Sequence, residues 1–245
     1  MKNVSAILIL IILLFNSGCK KSENSTAPNT CKTCVTKPDA LAANDNSSKG
    51  VYKGVIIGST GTIMFDILNS GSTIKATMVL DGITTVLTAA VSWSAGQPYV
   101  SDFTGTYNGN PVSVTFSVDP TGANPVVVSS NIPGHPTASF DVYKETSSNL
   151  VECFLGSYVT TKNGAVNERG TFNVLLSRTA KLYGGSSRAT TSNSSSTFGP
   201  SPINSSNQLL DDSGKILGTL NGDSISGDFI DNNNSNVDVR AFRNW

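Results

Sequence analysis

Beyond residue 50, apolar and polar residues alternate with a period of two, and no helical period is sustained. In residues 112–118, Val, Val, Phe and Val alternate with Ser, Thr and Ser. Such a segment has one apolar face and one polar face, as a half-buried β-strand does. The same pattern recurs at residues 74–80, 138–142 and 172–176. The chain from residue 50 onward is therefore predicted to be all-β.

Between these segments lie residue pairs that are typical of tight hairpin turns. They are Asp81-Gly82, Asn108-Gly109, Asn163-Gly164 and Asn221-Gly222. Asn-Gly and Asp-Gly favour the two-residue turns whose twist matches that of paired strands. The strands are therefore predicted to pair mainly antiparallel.

The predicted strands also contain an internal repeat. The segment "GTYNGNPVSVTF" at 105–116 aligns with "GTLNGDSISGDF" at 218–229. Before it, "GTIMFDIL" at Gly61 parallels "GTFNVLLS" at Gly170, and after it "SFDVYK" at Ser139 parallels "NVDVRA" at Asn236. Three matches in the same order predict two related halves, at about 50–148 and 149–245. The alternative is that hairpins converge on Gly-Thr-x-Asn-Gly for turn reasons alone.

Each half alone would leave open sheet edges, which promote aggregation. The economical arrangement is one antiparallel barrel or sandwich of about 8 to 12 strands, formed by both halves within a β domain at 50–245. Residues 186–207, "SSRATTSNSSSTFGPSPINSSN", have no alternation and are predicted to form a mobile or partly ordered surface loop.

The N-terminus has the layout of an export signal at residues 1–18. Lys2 precedes a run from 4 to 15 that is apolar except for Ser5, and small residues follow. The run is shorter than the roughly 20 residues that span a bilayer. Residues 16–19, "NSGC", resemble the lipobox of bacterial lipoproteins. The resemblance implies cleavage before Cys19 and acylation of that cysteine, so that the membrane is a partner through the lipid on Cys19. Because Lys20 follows, where inner-membrane retention is associated with Asp, it also implies an outer-membrane location. An ordinary secreted protein and an uncleaved anchor are the alternatives.

Residues 19–49 are rich in Ser, Asn, Thr and Lys and are predicted to form a flexible tether after the acylated cysteine. Within them lies Cys31-x-x-Cys34, which is interpreted as a small disulfide loop in an oxidising compartment. Redox and metal roles are the alternatives. A haem attachment would need His at Val35, and Cys153 and His135 are the distant additional ligands that a zinc site would have to use.

The strand and turn pattern of residues 50–245 loosely resembles that of calycin-like antiparallel β-barrel lipoproteins, the lipocalin-like group. In that group Gly-x-Phe or Gly-x-Tyr strands alternate with Asn-Gly turns. The competing interpretation is an outer-membrane β-barrel, since the chain ends in Trp245. Its strands, however, lack an aromatic girdle.

Composition narrows the function classes. Lys plus Arg and Asp plus Glu number 17 each, so the concentrated basic charge that nucleic-acid binding needs is not present. "GDSI" at 222–225 resembles the nucleophile block of one esterase family, with Ser224 as the nucleophile, but no helix is predicted to follow. His135 is the single histidine. "DNNNSN" from Asp231 resembles the start of a calcium loop, but Asn236 and Phe242 occupy the places of its Gly and Glu.

These observations predict no catalytic, metal or cofactor-binding residues. The expected function is a non-catalytic, membrane-anchored binding module of the cell envelope, with a small apolar molecule or a glycan as ligand. The alternatives are a structural or adhesive surface lipoprotein without a pocket and, third, a hydrolase. An apolar internal cavity would favour the binding module, and a filled interior would favour the structural protein.

Overall fold

The structure, a computed structural model, describes residues 30–245. Residues 1–29 lie outside the described part, and with them the predicted signal peptide, Cys19 and the beginning of the predicted tether. The described part contains a short 3₁₀ helix, Ala42–Asn44, and sixteen strands. The strands are β1 Gly50–Ile57, β2 Gly61–Ile67, β3 Ile74–Leu80, β4 Ile83–Ala89, β5 Tyr99–Tyr107, β6 Asn110–Val118, β7 Val126–Asn131, β8 Ser139–Glu145, β9 Glu152–Lys162, β10 Ala165–Ser177, β11 Leu182–Ala189, β12 Ser196–Pro202, β13 Gln208–Leu210, β14 Ile216–Asn221, β15 Ser224–Ile230 and β16 Asn236–Arg243.

The strands form two eight-stranded antiparallel sheets, each nearly closed into a barrel. The first has the order β7-β6-β5-β4-β3-β2-β1-β8, and the second β12-β11-β10-β9-β16-β15-β14-β13. The prediction of an all-β, antiparallel, barrel-like fold built from two halves is confirmed. The predicted 8 to 12 strands were assigned to one shared barrel, whereas each half forms its own nearly closed sheet of eight strands, in which the last strand pairs with the first.

Three of the four predicted turns are two-residue turns with both residues at positive φ, at Asp81-Gly82, Asn108-Gly109 and Asn163-Gly164. The fourth lies one residue later. Asn221 pairs with Ser224, so the turn residues are Gly222 and Asp223. Gly222, with φ +58°, takes the first turn position, where a type II′ turn favours glycine.

Two of the three repeat matches occupy equivalent strands, and the third does not. Gly61 and Gly170 lie in the second strand of their halves, and Ser139 and Asn236 begin the eighth. The segment at 105–116, however, covers the fifth and sixth strands of its half, whereas 218–229 covers the sixth and seventh. The middle match therefore joins hairpins at different places in the two barrels, as expected for convergent turn chemistry.

Half of the predicted surface loop at 186–207 is strand. It contains the end of β11 and all of β12, which pair antiparallel. Ser, Thr and Gly supply the ladder with backbone groups as well as other residues do, but they leave no apolar alternation to read. This prediction is therefore corrected.

The side chains of the two barrel interiors are closely packed. In the first barrel, Phe116 stacks on Phe65 with ring centroids 4.2 Å apart and lies 5.2 Å from the ring of Tyr52. In the second, Phe154, Val174, Ile225 and Val239 are among the buried side chains. A third cluster joins the barrels, with Val55 and Ile57 of β1 against Val151, Cys153 and Leu175. β1 is consequently buried on both faces along its whole length.

Residues 30–49, the described part of the predicted tether, lie against the ends of both barrels. The Asn69 Nδ2 donates to Asp39 O (2.8 Å), and the Asn69 Oδ1 accepts from Leu41 N (3.0 Å). Glu145 accepts from Asp39 N at 2.6 Å. The composition of the segment predicts flexibility because it has little apolar surface to bury, and in the structure hydrogen bonds to buried polar side chains hold it instead.

Candidate functional site

Besides the packing of β1 against β9 and β10, the two barrels also meet where side chains of β8 and β11 face each other. Ser139 accepts from the Arg188 Nη2 at 3.0 Å, Ser186 donates to Asp141, and Tyr143 lies on Gly184. We call this line of contacts the β8–β11 seam. It has a recess at each end, because the barrel walls curve away from each other beyond the contacting residues.

The recess at the Tyr143 end is an apolar cleft of about 340 Å³. We call it the seam cleft. Its principal apolar wall residues are Tyr143, Val151, Leu176, Ala180, Leu182 and Pro200. Leu182 is 44% exposed although it begins a strand, because its side chain points into this open space rather than into a barrel. A concave apolar surface with few polar groups is the usual form of a small-molecule site.

The polar groups of the seam cleft are few and mostly engaged. Lys144 at its rim donates to Asn44 O (2.9 Å) and to Ser47 O, and burial lowers its pKa. The hydroxyl of Tyr143 makes no hydrogen bond within residues 30–245. Burial, with Asp141 nearby, raises the pKa of Tyr143, so the hydroxyl stays protonated and can donate one hydrogen bond.

A third recess, distinct from the two at the ends of the seam, has a volume of about 400 Å³. It is polar and contains a network of charged side chains. Glu152 is paired with Arg178 at 2.8 Å and with Arg243 at 2.7 Å. Asp223 lies 3.2 Å from Arg178 and 3.3 Å from Arg243. Two acids and two arginines neutralise each other, and Asp223 also accepts from Cys31 N at 2.8 Å. The network therefore ties the N-terminal segment to the second barrel.

The candidate catalytic residues are not brought together. The Ser224 hydroxyl donates to Asn221 O at 2.8 Å, within its own hairpin. His135 lies between β7 and β8 of the other barrel, 3.3 Å from Asp81, with its ring centroid 5.9 Å from that of Tyr107. The Asp231 Oδ1 accepts from Asn233 N and Ser235 N, both at 2.8 Å, so it closes a polar turn. Within residues 30–245 no group of three or more His, Cys, Asp or Glu could hold a metal ion.

Of the cysteines in residues 30–245, two form a disulfide and one is a free thiol. Cys31 and Cys34 form a disulfide with their Cα atoms 5.4 Å apart. Cys153 is a buried free thiol between the barrels, and burial raises its pKa to about 12. It is therefore a neutral packing residue at physiological pH. Cys19 lies outside the described residues.

The outer face of β9 and β16 has a shallow depression of about 420 Å³. It is lined by Ser157, Val159, Thr161, Asn236, Asp238 and Arg240. These side chains provide no aromatic surface on which a ligand could stack, and Arg240 is paired with Asp238 at 3.2 Å. The seam cleft has the more apolar lining of the two.

The recesses escape sequence reasoning because their residues come from distant segments of both halves. One signal was available: the apolar stretch "VYKGVII" does not alternate, which is typical of a strand buried on both faces. That signal marks β1 as a strand of the barrel contact.

No family model, no curated protein and no solved structure matches this chain. Among residues 30–245, no helix has the length and apolar character needed to cross a membrane.

Proposed function

We propose that this protein is a membrane-anchored lipoprotein of the cell envelope, and that it binds a small apolar ligand in the seam cleft without chemical conversion. The observation that carries the proposal is the cleft itself, a concave space of about 340 Å³ with a mainly apolar wall between the barrels. The lipobox resemblance at residues 16–19 supports the anchor.

The cleft, rather than a barrel interior, is the proposed site. The interior of the first barrel is occupied by Phe65, Phe103 and Phe116, all with no exposed surface. Displacing such side chains would cost several kcal/mol each. A ligand enters the cleft without that cost.

An apolar ligand fits the cleft better than a glycan does. A sugar needs several hydrogen-bond partners, and a buried polar group without a partner costs free energy. The cleft offers mainly Leu, Val, Pro and Ala surface, and Lys144 at the rim is already engaged. The matching ligand is an apolar chain or ring system with one acceptor oxygen for Tyr143.

The absence of conversion is supported by the placement of the candidate groups. A nucleophile needs a base within hydrogen-bond reach. Ser224 and His135 belong to different barrels, and each is engaged by its own neighbours. The four charges around Glu152 neutralise one another.

The test is calorimetric titration of the full chain with a medium-chain fatty acid and with the corresponding alcohol. Ala180→Trp should fill the cleft and weaken binding about tenfold or more, and Tyr143→Phe should weaken it about threefold by removing one hydrogen bond. Ala95→Trp, in an exposed loop of the first barrel, is the matched control and should bind as the parent does. Undiminished binding by Ala180→Trp would contradict the proposal.

The anchor has its own test. Cys19→Ala should release the protein from the membrane fraction or leave an unprocessed precursor. Unchanged membrane partitioning of a correctly processed chain would contradict lipidation at Cys19.

The second candidate is a structural or adhesive surface lipoprotein, and the filled barrel interiors favour it. If neither apolar probe binds saturably while surface display is retained, this candidate replaces the first.

A further inference from the structure

The other end of the β8–β11 seam contains a buried arginine. Arg188, near the end of β11, points toward the first barrel and is only 6% exposed. A guanidinium remains charged at neutral pH, even though burial lowers the pKa of Arg188. A charge this enclosed is usually paired with an opposite charge, because desolvation is costly.

Every protein partner of Arg188 is neutral. Its Nη1 donates to Thr137 O at 2.7 Å and more weakly to the Thr137 hydroxyl at 3.3 Å, its Nη2 to the Ser139 hydroxyl at 3.0 Å, and its Nε to the Ser195 hydroxyl at 2.9 Å. Within residues 30–245 no carboxylate lies within 4.0 Å of it. Four bonds to five N–H groups leave one donor over.

The acids on this side of the molecule are engaged elsewhere. Asp141 accepts a hydrogen bond from Ser186, and burial raises its pKa. Asp81 accepts from Ser59 at 2.9 Å and lies 3.3 Å from His135. The charge of Arg188 is therefore left without a direct counter-ion.

Arg188 forms part of the wall of a recess of about 250 Å³, which we call the Arg188 pocket. Polar groups from both barrels line it, among them Thr60, Thr171 and Asn193, and none of its lining residues is acidic. Gly58 also lines the pocket and lies directly against the guanidinium of Arg188. A residue with a Cβ at this position would overlap the guanidinium. The pocket therefore combines a cation with hydrogen-bond donors.

Thr171 provides a second, independent observation. It is the ladder partner of Arg188, so their side chains stand next to each other on the same face. Its Oγ1 is buried and makes no hydrogen bond within the described residues. Thr62 and Thr160 have the same kind of hydroxyl in the described residues, but of these three only Thr171 lines the Arg188 pocket. Rotation about the Cα–Cβ bond would offer this hydroxyl to a ligand in the pocket.

We propose that the Arg188 pocket binds an oxyanion group, a carboxylate, sulfate or phosphate, which supplies the missing counter-charge. The group belongs either to a free ion or to an acidic sugar. This site is separate from the seam cleft, and its ligand differs from the apolar ligand proposed there. Arg188 would use its remaining N–H in a charge-assisted hydrogen bond, and the hydroxyl and amide groups of the pocket would complete the shell.

The experiment titrates the full chain at low ionic strength with sulfate, glucuronate and glucose, followed by calorimetry and by the NMR signal of the Arg188 Nε–H. Sulfate or glucuronate should bind saturably and shift that signal, whereas glucose should not. Binding of sulfate alone identifies a free ion, and tighter binding of glucuronate than of sulfate identifies an acidic sugar. Both outcomes support the site.

Arg188→Gln should weaken oxyanion binding about tenfold or more, and Thr171→Val about threefold. Thr171→Val deletes an unpartnered hydroxyl, so it should fold normally even if Arg188→Gln does not. Arg240→Gln, which changes an exposed arginine of the same barrel, is the matched control and should bind like the parent. Ala180→Trp should also retain oxyanion binding, because it alters only the cleft. Lack of saturable binding, or equal binding by parent and Thr171→Val and Arg188→Gln, overturns the proposal.

Discussion

The two barrels of this protein follow the same path but open at different places. In each, successive strands pair around the barrel and the eighth strand pairs with the first. The first barrel is open between its seventh and eighth strands, β7 and β8, whereas the second is open between its fourth and fifth, β12 and β13. At the opening of the second barrel, a single β-bridge joins Ile203 to Leu209. Equal topology therefore does not fix which strand pair is left incomplete.

The two barrel interiors differ in the number and kind of side chains that they bury. The core of the first barrel has 18 buried side chains, six of them aromatic, and that of the second has 12, three of them aromatic. The ladders of the second barrel are also interrupted between β9 and β10, β11 and β12, and β13 and β14. Less buried apolar surface and more interruptions make the second barrel the less stable half.

The charged side chains near the barrel contact also differ between the two barrels, in how exposed they are to solvent. Lys53 and Glu145 of the first barrel are both fully buried and 2.6 Å apart. In the network around Glu152 of the second barrel, Glu152 and Arg243 are also buried, but Arg178 keeps 39% of its side chain exposed. Enclosed charges depend on their partner, whereas exposed ones are compensated by water and salt.

The largest expected effect concerns the aromatic cores. Phe116→Ala should lower the free energy of unfolding by about 3–5 kcal/mol, because the ring is surrounded by other rings. Phe172→Ala should cost about 3 kcal/mol, the lower end of that range, since Phe172 is 7% exposed and stacks on the partly buried Phe198. Urea unfolding followed by the fluorescence of Trp93, in the first barrel, and of Trp245, at the contact, measures both. Equal losses would contradict the difference between the cores.

The next effect concerns the charges. Lys53→Met should cost about 3 kcal/mol, because it leaves the Glu145 carboxylate buried without its cation. Arg178→Met should cost about 0.5 kcal/mol, and that loss should shrink in high salt. Chemical denaturation in low and high salt measures both. Adding Glu145→Gln to Lys53→Met should recover part of the loss, and a double variant no more stable than Lys53→Met would contradict this interpretation.

The smallest expected effect is a pH dependence carried by tyrosines of both barrels, since burial also raises the pKa of Tyr158 in the second barrel. Burial raises the pKa of Tyr52 above its ordinary value of 10.0, and that of Tyr183 to about 12. The folded state keeps protons that the unfolded state releases, so stability is complete below pH 10 and is lost as pH rises further. Tyr52→Phe should cost about 1 kcal/mol at pH 7 through its lost bond to Ser48 O, and should make the alkaline loss shallower.

Urea midpoints between pH 8 and about 11.5 follow this loss, a window set by the ordinary tyrosine pKa of about 10. Tyr183→Phe is the matched variant in the second barrel and should flatten the curve less, because the pKa of Tyr183 is shifted less. An alkaline limb unchanged by Tyr52→Phe would contradict the contribution of Tyr52.

The alternating pattern was sufficient to predict the strands that have one wet face, such as 112–118 and 74–80. The alternating pattern did not identify strands whose two faces have the same character. β11 and β12 were read as a loop because Ser, Thr and Gly cover both their faces, and no alternation marks β1 because both its faces are buried. The repeat match at 105–116 identified a shared turn sequence, while the barrels place the two hairpins at different positions.

Local sequence patterns were equally insufficient for predicting the functional residues. Ser224 and Asp231 were singled out by local motif and His135 as the single histidine; the structure holds Ser224 and Asp231 in local hydrogen bonds and places His135 beside Asp81. Tyr143, Leu182, Arg188 and Thr171 had no motif, since what distinguishes them is the other barrel on the far side of the seam.

The sequence by itself determined the all-β class, the antiparallel pairing and the existence of two similar halves, because period-two alternation and tight-turn residues act over a few neighbours. Only the tertiary structure decided that each half closes on its own first strand. It also decided that residues 30–49 pack along the barrel ends and that the seam leaves an apolar cleft at one end and an unpaired arginine at the other. These features depend on which distant surfaces come together, and that is set by the total burial and pairing of the whole chain rather than by any local segment.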